Sequence, residues 1–321
     1  MAINGIMTLR YRVGDVATCG RFFDDFGLTR SASSDQAIAY SLDEGSGIEL
    51  HGPKSPVPSG AIEGDGVHEV VWGVSSAEAL ARLSDNLARD HDVRSGADGA
   101  VHFVPSFGIP MALRVFAKNT VVSAPEPANA PGHVVRLNTH RKWRKRARPK
   151  VLQHVVFQTP QFEAATAFMR DRLGFRVTDI QDSFGMYLRA PGAINHHNLL
   201  LLNANASLPG CDGKTRFHHA NFGVEDLDEI MLGANHMQRQ GWEPSKIGLG
   251  RHRIDSALFY YLPCPAGGEA EYGADSDYVD DNWVPRRWTL PLFGYAHFTH
   301  NLPHFLMHAP EWRYEYADPA G

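Results

Sequence analysis

Cysteine is scarce in this chain of 321 residues, which contains only Cys19, Cys211 and Cys264. The three lie far apart and none belongs to a CxxC pair, so neither a disulfide framework nor a zinc ribbon is indicated. Long hydrophobic runs are also lacking, and the N-terminal sequence shows no apolar signal segment. We therefore expect a cytoplasmic protein that is not secreted and does not cross a membrane.

An excess of charge of either sign is absent as well. The 31 Lys and Arg residues nearly balance 36 Asp and Glu residues, which gives a formal net charge of −5. Such a balance creates no field that would concentrate nucleic acid or anionic lipid, so we expect a small-molecule partner. Histidine, in contrast, is abundant at 17 residues, several of them in adjacent pairs. This abundance favours a metal held by nitrogen and oxygen ligands.

The length of the chain favours two domains. The Pro/Ala-rich segment SAPEPANAPG at 123–132 precedes the basic segment RKWRKRARPK at 141–150. We interpret them as a linker whose positive charges pack against acidic surface. The predicted parts are an N-terminal domain at 1–122, a linker at 123–150, a C-terminal domain at 151–290 and a His/aromatic-rich tail at 291–321.

The two halves of the chain repeat each other. Residues 9–28 parallel residues 154–175, because each segment has an alternating apolar strand and then a short amphipathic helix that ends at Gly27 or Gly174. A second pair of strand–helix segments follows in each half, and short β-rich runs separated by turn residues lie between them. The sequence therefore predicts four βαβββ modules in an α+β fold.

Paired βαβββ modules, two in each half, resemble the vicinal oxygen chelate superfamily, which includes glyoxalases, bleomycin-resistance proteins and type I extradiol dioxygenases. The resemblance covers nearly the whole chain. It implies two domains, each a curved mixed sheet around a cavity, with a metal in one of them. Among the extradiol enzymes it implies Fe(II), or Mn(II) in some relatives, together with an aromatic diol and O2 as substrates and a homo-oligomer.

A mononuclear Fe(II) oxygenase site needs two neutral imidazoles and one carboxylate on one face of the metal. His154 begins the first strand of the third module, next to apolar residues that favour a strand. In the fourth module, His218 and His219 are adjacent and should point to opposite faces of their strand, so only one can be a ligand. The resemblance selects His219, with His218 as a supporting residue.

Two carboxylates near the end of the fourth module compete for the third ligand position. Glu269 and Glu271 share one face of a strand, so side-chain alternation cannot separate them. The Glu-Tyr-Gly sequence that begins at Glu271 resembles the C-terminal ligand motif of the extradiol enzymes. The resemblance therefore implies a metal site made of His154, His219 and Glu271.

The acid–base catalyst implied by the same resemblance is His197, which precedes the second ligand by 22 residues. An imidazole with a pKa near 6.5 can take a proton from a catechol and return it near neutral pH. The gap to His219 is longer than in the family, which leaves His196 as an alternative. Phe184 and Met186 are expected to make the pocket partly apolar, as an alkyl- or aryl-substituted catechol would require.

Three further positions match the family pattern, in the segment GRHRIDSALFYY that precedes Glu271. His252 and Tyr261 are expected to hydrogen-bond the substrate oxygen or species derived from O2. Asp255 is expected to orient His252. The spacing favours Tyr261 over the adjacent Tyr260.

The N-terminal half lacks equivalent ligands. Aligning Gly73 with Gly223 puts Glu69 where His219 stands, and the last strand, IPMALRVF at 109–116, has no carboxylate. We therefore predict that this half is a supporting domain without a metal.

The tail has histidines at intervals of three and four residues, but Pro303 argues against one continuous helix. These histidines are His297, His300, His304 and His308. We expect the tail to cover the cavity mouth or to form a subunit contact. Two other functions stay open, namely a non-oxidative isomerase or lyase of the glyoxalase kind and a resistance-type protein that binds an aromatic ligand.

Overall fold

The computed structural model describes residues 3–55, 58, 60–207, 210–288, 295–304, 307 and 313–317. The first half of the chain contains two βαβββ modules, and each opens with a long strand followed by a helix. The first consists of β1 (Ile3–Arg12), α1 (Val16–Phe26), β2 (Thr29–Ser33), β3 (Ala37–Ser41) and β4 (Gly47–His51). The second consists of β5 (Gly66–Val74), α2 (Ala77–Leu87), β6 (Arg94–Ser95), β7 (Val101–Phe103) and β8 (Met111–Val115).

The second half repeats this arrangement. The third module consists of β9 (Val151–Thr159), α3 (Phe162–Leu173), β10 (Arg176–Gln181), β11 (Gly185–Arg189) and β12 (Leu199–Asn203). The fourth consists of β13 (Arg216–Gly223), α4 (Leu227–Arg239), β14 (Gly250–Arg251), β15 (Leu258–Pro263) and β16 (Glu269–Ala274). Three short strands follow, namely β17 (Arg286–Trp288), β18 (Phe298–Thr299) and β19 (Tyr314–Tyr316).

Each half forms one mixed sheet in which two modules meet through their first strands. In the first sheet the order is β2-β3-β4-β1-β5-β8-β7-β6, and β1 and β5 pair antiparallel at its centre. In the second the order is β18-β14-β15-β16-β13-β9-β12-β11-β10-β17-β19, with β9 and β13 antiparallel at the centre. The predicted α+β fold of four modules is confirmed, whereas the exact domain limits stay a prediction.

The local signals in the sequence account for the helix ends. Asp15, Ser76 and Asp226 each accept a hydrogen bond from the backbone N–H three residues later, at the start of α1, α2 and α4. Gly27 and Gly174 end α1 and α3 in the left-handed conformation, with φ of 106° and 75°. Both predicted helix ends are confirmed.

A ring contact joins the two halves. The Phe26 and Tyr272 rings stack with centroids 4.0 Å apart, and the Tyr272 hydroxyl donates to the Phe26 carbonyl at 2.7 Å. The basic segment lies against acidic residues of the fourth module, as expected, with Arg144 on Asp226 at 2.9 Å and Lys150 on Glu225 at 2.9 Å. None of the helices in the described part of the chain has the length and apolar character that a membrane crossing needs.

Candidate metal centre and active site

His154, His219 and Glu271 come from three adjacent strands of the second sheet. β13 lies between β9 and β16, pairing antiparallel with the first and parallel with the second. His154 Nε2 is 3.3 Å from His219 Nε2, and these nitrogens lie 3.2 Å and 3.4 Å from Glu271 Oε2. All three side chains are buried. Three potential ligand atoms from adjacent strands therefore converge on one buried point.

This donor set fits a metal ion. Donor atoms that bind one ion at about 2.1 Å and at nearly right angles lie about 3 Å from one another. Glu271 has no exposed surface, yet neither of its carboxylate oxygens accepts a hydrogen bond from any described residue. A buried carboxylate left without partners is costly unless a cation neutralises it. Two imidazoles and one carboxylate form the ligand type of non-haem iron oxygenases.

His218 departs from the expected alternation. A shift in register between Phe217 and His219 marks a bulge in β13, so His218 also lines the cavity and does not point to the opposite face. Its Nδ1 lies 2.7 Å from His219 Nδ1. The expectation that the two rings face opposite sides of the sheet is wrong at this bulge.

Glu269 lies on the same strand face as Glu271 but outside the ligand cluster. Burial, together with the charge of Glu271, raises the pKa of Glu269 to about 7. The side chain lines the cavity beside His218. It is thus placed to contact a ligand rather than to complete the cluster of three.

His197 faces the same cavity, whereas His196 does not line it. The His197 ring stacks on His154, with centroids 4.2 Å apart at 25°. Burial and the neighbouring imidazoles, His154 and His196 first among them, lower the pKa of His197 well below its usual range. A neutral imidazole in this place can accept a proton from a substrate hydroxyl.

His252 and Tyr261 form a second polar group beside the cluster. His252 Nε2 lies 3.1 Å from the Tyr261 hydroxyl and 3.9 Å from Glu271 Oε1. Burial, then the charge of Glu271, raises the pKa of Tyr261 well above its usual range, so its hydroxyl keeps its proton. The Tyr261 hydroxyl can therefore donate a hydrogen bond, either to His252 Nε2 or to a ligand in the cavity.

Asp255 does not orient His252, contrary to expectation. His252 Nδ1 donates instead to the Tyr295 carbonyl, whereas the Asp255 carboxylate lies 3.9 Å from His197 Nδ1 and accepts from the Ala257 N–H. The loop between β14 and β15 turns Asp255 toward the third module. Its contact is with the expected acid–base residue.

The cavity has a volume of about 110 Å³. Its apolar wall comes from Phe184, Tyr187, Leu200, Leu202 and Ile254. Met186 was expected here but packs into the main core instead. The described lining residues include no Lys or Arg, so none of them supplies a permanent positive charge to the cavity.

The tail reaches this cavity. Tyr295 lines it, and β18 adds to the sheet by pairing with β14, which carries the residues just before His252. The tail therefore contributes one side chain to the cavity, whereas the expectation that it covers the cavity mouth or forms a subunit contact stays a prediction. Sequence reasoning did not single out Tyr295, because a lone tyrosine beyond the last module has no distinctive pattern. His297, His300 and His304 do not share one helix, and His308 lies outside the described residues.

The corresponding position of the first sheet holds an ion-pair network. Glu69 is fully buried and accepts hydrogen bonds at 2.7 Å from both Arg10 Nη1 and His102 Nδ1. Arg10 also contacts Glu49 and Asp98, each at 2.9 Å. A guanidinium thus neutralises the buried carboxylate here. At the corresponding position the second sheet has a cluster of three potential metal-ligand atoms.

Comparison with known proteins identifies relatives of this chain. Residues 151–262 match the family model described as Glyoxalase/Bleomycin resistance protein/Dioxygenase superfamily. Metapyrocatechase 2 of Cupriavidus necator is 30% identical over 295 residues, covering 87% of this chain and 83% of that protein. Biphenyl-2,3-diol 1,2-dioxygenase of Paraburkholderia xenovorans is 26% identical over 313 residues, covering 91% and 94%.

The chain belongs to the extradiol dioxygenases of the vicinal oxygen chelate superfamily. It is therefore a member of a family of oxidoreductases. The Mn(II)-bound glyoxalase from Novosphingobium aromaticivorans shares the fold, with a TM-score of 0.70 at 19% identity over 94% of this chain and 95% of that one. In this extradiol dioxygenase, His154 and His219 lie within the residues that match the family model, and Glu271 follows them in the same half of the chain.

Proposed function

We propose that this enzyme uses Fe(II), held by His154, His219 and Glu271, to cleave a neutral catechol with O2 beside its hydroxyl pair. The observation that carries the proposal is the buried triangle of donor atoms 3.2 to 3.4 Å apart, at the wall of a cavity that also contains His197, His252 and Tyr261. Bound Fe(II) would supply Lewis acidity for both catechol oxygens and a route for electrons from the ring to O2.

The residues around the metal have separable roles in this proposal. His197 accepts a proton from one catechol hydroxyl and returns it to an oxygen atom during ring opening. Tyr261 donates a hydrogen bond to an oxygen atom on which charge develops, an effect of about 3 kcal/mol per donor in comparable sites. His252 donates there through Nε2 when both of its ring nitrogens hold a proton. One ring C–C bond next to the diol breaks, and both atoms of O2 remain in the product.

The cavity supports a substrate with one uncharged ring. Its volume of about 110 Å³ leaves room to enclose no more than one aromatic ring, since an engineered cavity of about 150 Å³ holds a single benzene. The wall opposite the donor atoms is apolar, and Asp255 and Glu269 at the cavity would disfavour a carboxylate. We propose catechols with a small alkyl group in a catabolic route for aromatic compounds.

Anaerobic reconstitution with Fe(II), followed by oxygen uptake and absorbance scans over a catechol panel, tests this proposal. We expect one iron per chain, a yellow ring-opened product and a higher kcat/KM for alkylcatechols than for carboxylated catechols. His219→Ala should lose iron and turnover together. Mn(II) would be tested in parallel as the alternative ion.

The same experiment separates the alternatives. A zinc or nickel protein that consumes no O2 with any catechol would indicate a non-oxidative isomerase or lyase. Undiminished affinity of His219→Ala for an aromatic ligand, without turnover by the unaltered protein, would indicate a resistance-type binding protein. Either result would overturn the proposal.

A further inference from the structure

Behind His197 lies a buried polar chain that the metal site and the substrate contacts do not use. Asp179 on β10 has no exposed surface and accepts four hydrogen bonds. Arg286 donates through Nε and Nη2, both at 2.9 Å, and Trp288 donates through Nε1 at 2.9 Å. The fourth donor is His196 Nε2, at 2.5 Å. His196 is itself 1% exposed.

His196 links this carboxylate to the expected catalyst. Its other ring nitrogen, Nδ1, lies 3.1 Å from Nδ1 of His197. Asp255 Oδ2 lies 3.9 Å from the same His197 nitrogen. A continuous path therefore runs from Arg286 and Asp179, through His196, to Nδ1 of His197.

The number of donors and acceptors on each group determines which atoms along this path carry protons. A neutral imidazole has one N–H donor and one acceptor nitrogen, and the bond made by one nitrogen determines which atom carries the proton. Asp179 can only accept, so His196 carries its proton on Nε2 and presents a lone pair at Nδ1. His197 must then donate from Nδ1. Its Nε2 is left with a free lone pair.

Charge balance supports a neutral His196. The guanidinium of Arg286 already compensates the Asp179 carboxylate through two parallel hydrogen bonds. A protonated His196 would add a second positive charge to a fully buried site in which Arg286 already balances Asp179, with only Asp255, 3.9 Å from His197 Nδ1, to offset it. The opposite tautomer of His197, with its proton on Nε2, would require that extra charge if the contact between His196 and His197 is to stay a hydrogen bond.

We propose that Asp179 and His196 are positioning residues that hold His197 as the Nδ1–H tautomer, with its Nε2 lone pair available to the catechol hydroxyl. The inference rests on the proposed function for its catalytic meaning, but not for the proton assignment. It also gives a role to β17, a strand outside the four modules, because both Arg286 and Trp288 come from it. A histidine with the wrong tautomer could not accept the substrate proton.

Two substitutions at His196 separate a positioning role from a packing role. His196→Phe keeps a planar ring but can neither donate nor accept. His196→Gln can still accept from His197 through its amide oxygen and donate to Asp179 through its amide nitrogen. We expect kcat to fall by about 10- to 100-fold in His196→Phe, with KM and iron content little changed, and to recover mostly in His196→Gln.

Trp288→Phe is the matched control, since it removes a hydrogen bond from the other oxygen of Asp179 without touching His196. We expect a smaller loss of kcat than in His196→Phe. Equal losses of kcat in the Phe and Gln variants of His196, or full activity in both, would overturn the proposal.

A second measurement does not depend on activity. Nitrogen-15 NMR of histidine-labelled, metal-free protein distinguishes the two neutral tautomers, and the His197 signals are identified by their loss in His197→Gln. We expect His197 to carry its proton on Nδ1 in the unaltered protein and in His196→Gln, and to populate both tautomers in His196→Phe. A dominant Nε2–H form in the unaltered protein would contradict the proposal. Absence of catechol cleavage with the expected tautomer would instead refute the proposed function alone.

Discussion

At the scale of single residues, Glu269 and Glu271 allow a direct comparison of a proposed metal ligand with a nearby carboxylate. They stand two residues apart on one strand face, yet Glu271 Oε2 lies within 3.4 Å of both histidines and Glu269 lies outside that cluster. We expect Glu271→Gln to weaken Fe(II) binding by more than the 10- to 100-fold that changes around a metal ligand typically cause. Glu269→Gln should bind Fe(II) nearly as tightly as the unaltered protein.

Equilibrium titration of the metal-free protein with Fe(II) under nitrogen measures both affinities. The reverse order, with Glu269→Gln losing iron and Glu271→Gln retaining it, would show that the ligand choice was wrong. Both variants should also be compared by thermal unfolding without metal, so that a folding defect is not mistaken for a weaker site.

Residue types and repeat position narrowed the ligands to His154, one of two adjacent histidines and one of two carboxylates, and the family resemblance selected His219 and Glu271. Local geometry was not predictable. The bulge between Phe217 and His219 interrupts the alternation of side chains between the two sheet faces, and it brings His218 to the cavity. The partner of Asp255 depends on how one loop turns, which no periodic pattern encodes. The role of Asp179 was not predicted, because its partners His196 and Arg286 are 17 and 107 residues away in the sequence.

At the scale of elements, the two left-handed glycines that end α1 and α3 can be compared for the effect of an added Cβ on stability. A Cβ at Gly174 would find only Pro191 Cγ at 3.7 Å, whereas one at Gly27 would lie 2.3 Å from the Ala147 carbonyl oxygen. Gly174→Ala should therefore cost about 1 kcal/mol for the left-handed backbone alone. Gly27→Ala should cost more, because the linker must move away as well.

Urea unfolding of the two variants checks this order. Equal losses of unfolding free energy would mean that the contact between Gly27 and the linker does not constrain the folded state. The helix ends themselves were predictable, since caps are local signals. The strands β17, β18 and β19 were not, because they are short and gain their stability from pairing with distant sheet edges.

At the scale of the whole molecule, two similar sheets differ in how a buried carboxylate near the centre of each is neutralised. Glu69 of the first sheet is paired with Arg10 and His102, and the second sheet has a cluster that fits a cation. The repeat in the sequence revealed this asymmetry, since Glu69 stands where His219 does. The ion-pair partners of Glu69 were not predictable, because they come from different strands.

This asymmetry predicts that the N-terminal network contributes to stability but not to metal binding. The hydrogen bond to Glu69 raises the pKa of His102, so the folded protein holds that proton more tightly than the unfolded chain does. The resulting stabilisation is fully present below the unfolded pKa of about 6.5 and is lost as the pH rises through the higher folded value. His102→Gln should therefore lower Tm at pH 6 by about 2 to 4 °C for each kcal/mol lost, and by less at pH 9.

Thermal unfolding at the two pH values, with iron content measured on the same samples, tests both parts of this prediction. His140→Gln, at an exposed linker position, serves as the control and should change neither quantity. A loss of iron in His102→Gln at unchanged Tm would mean that the first sheet takes part in the metal site. A Tm difference that grows from pH 6 to pH 9 would mean that the network is not stabilised by a protonated His102, since the linkage between proton binding and folding fixes the opposite sign.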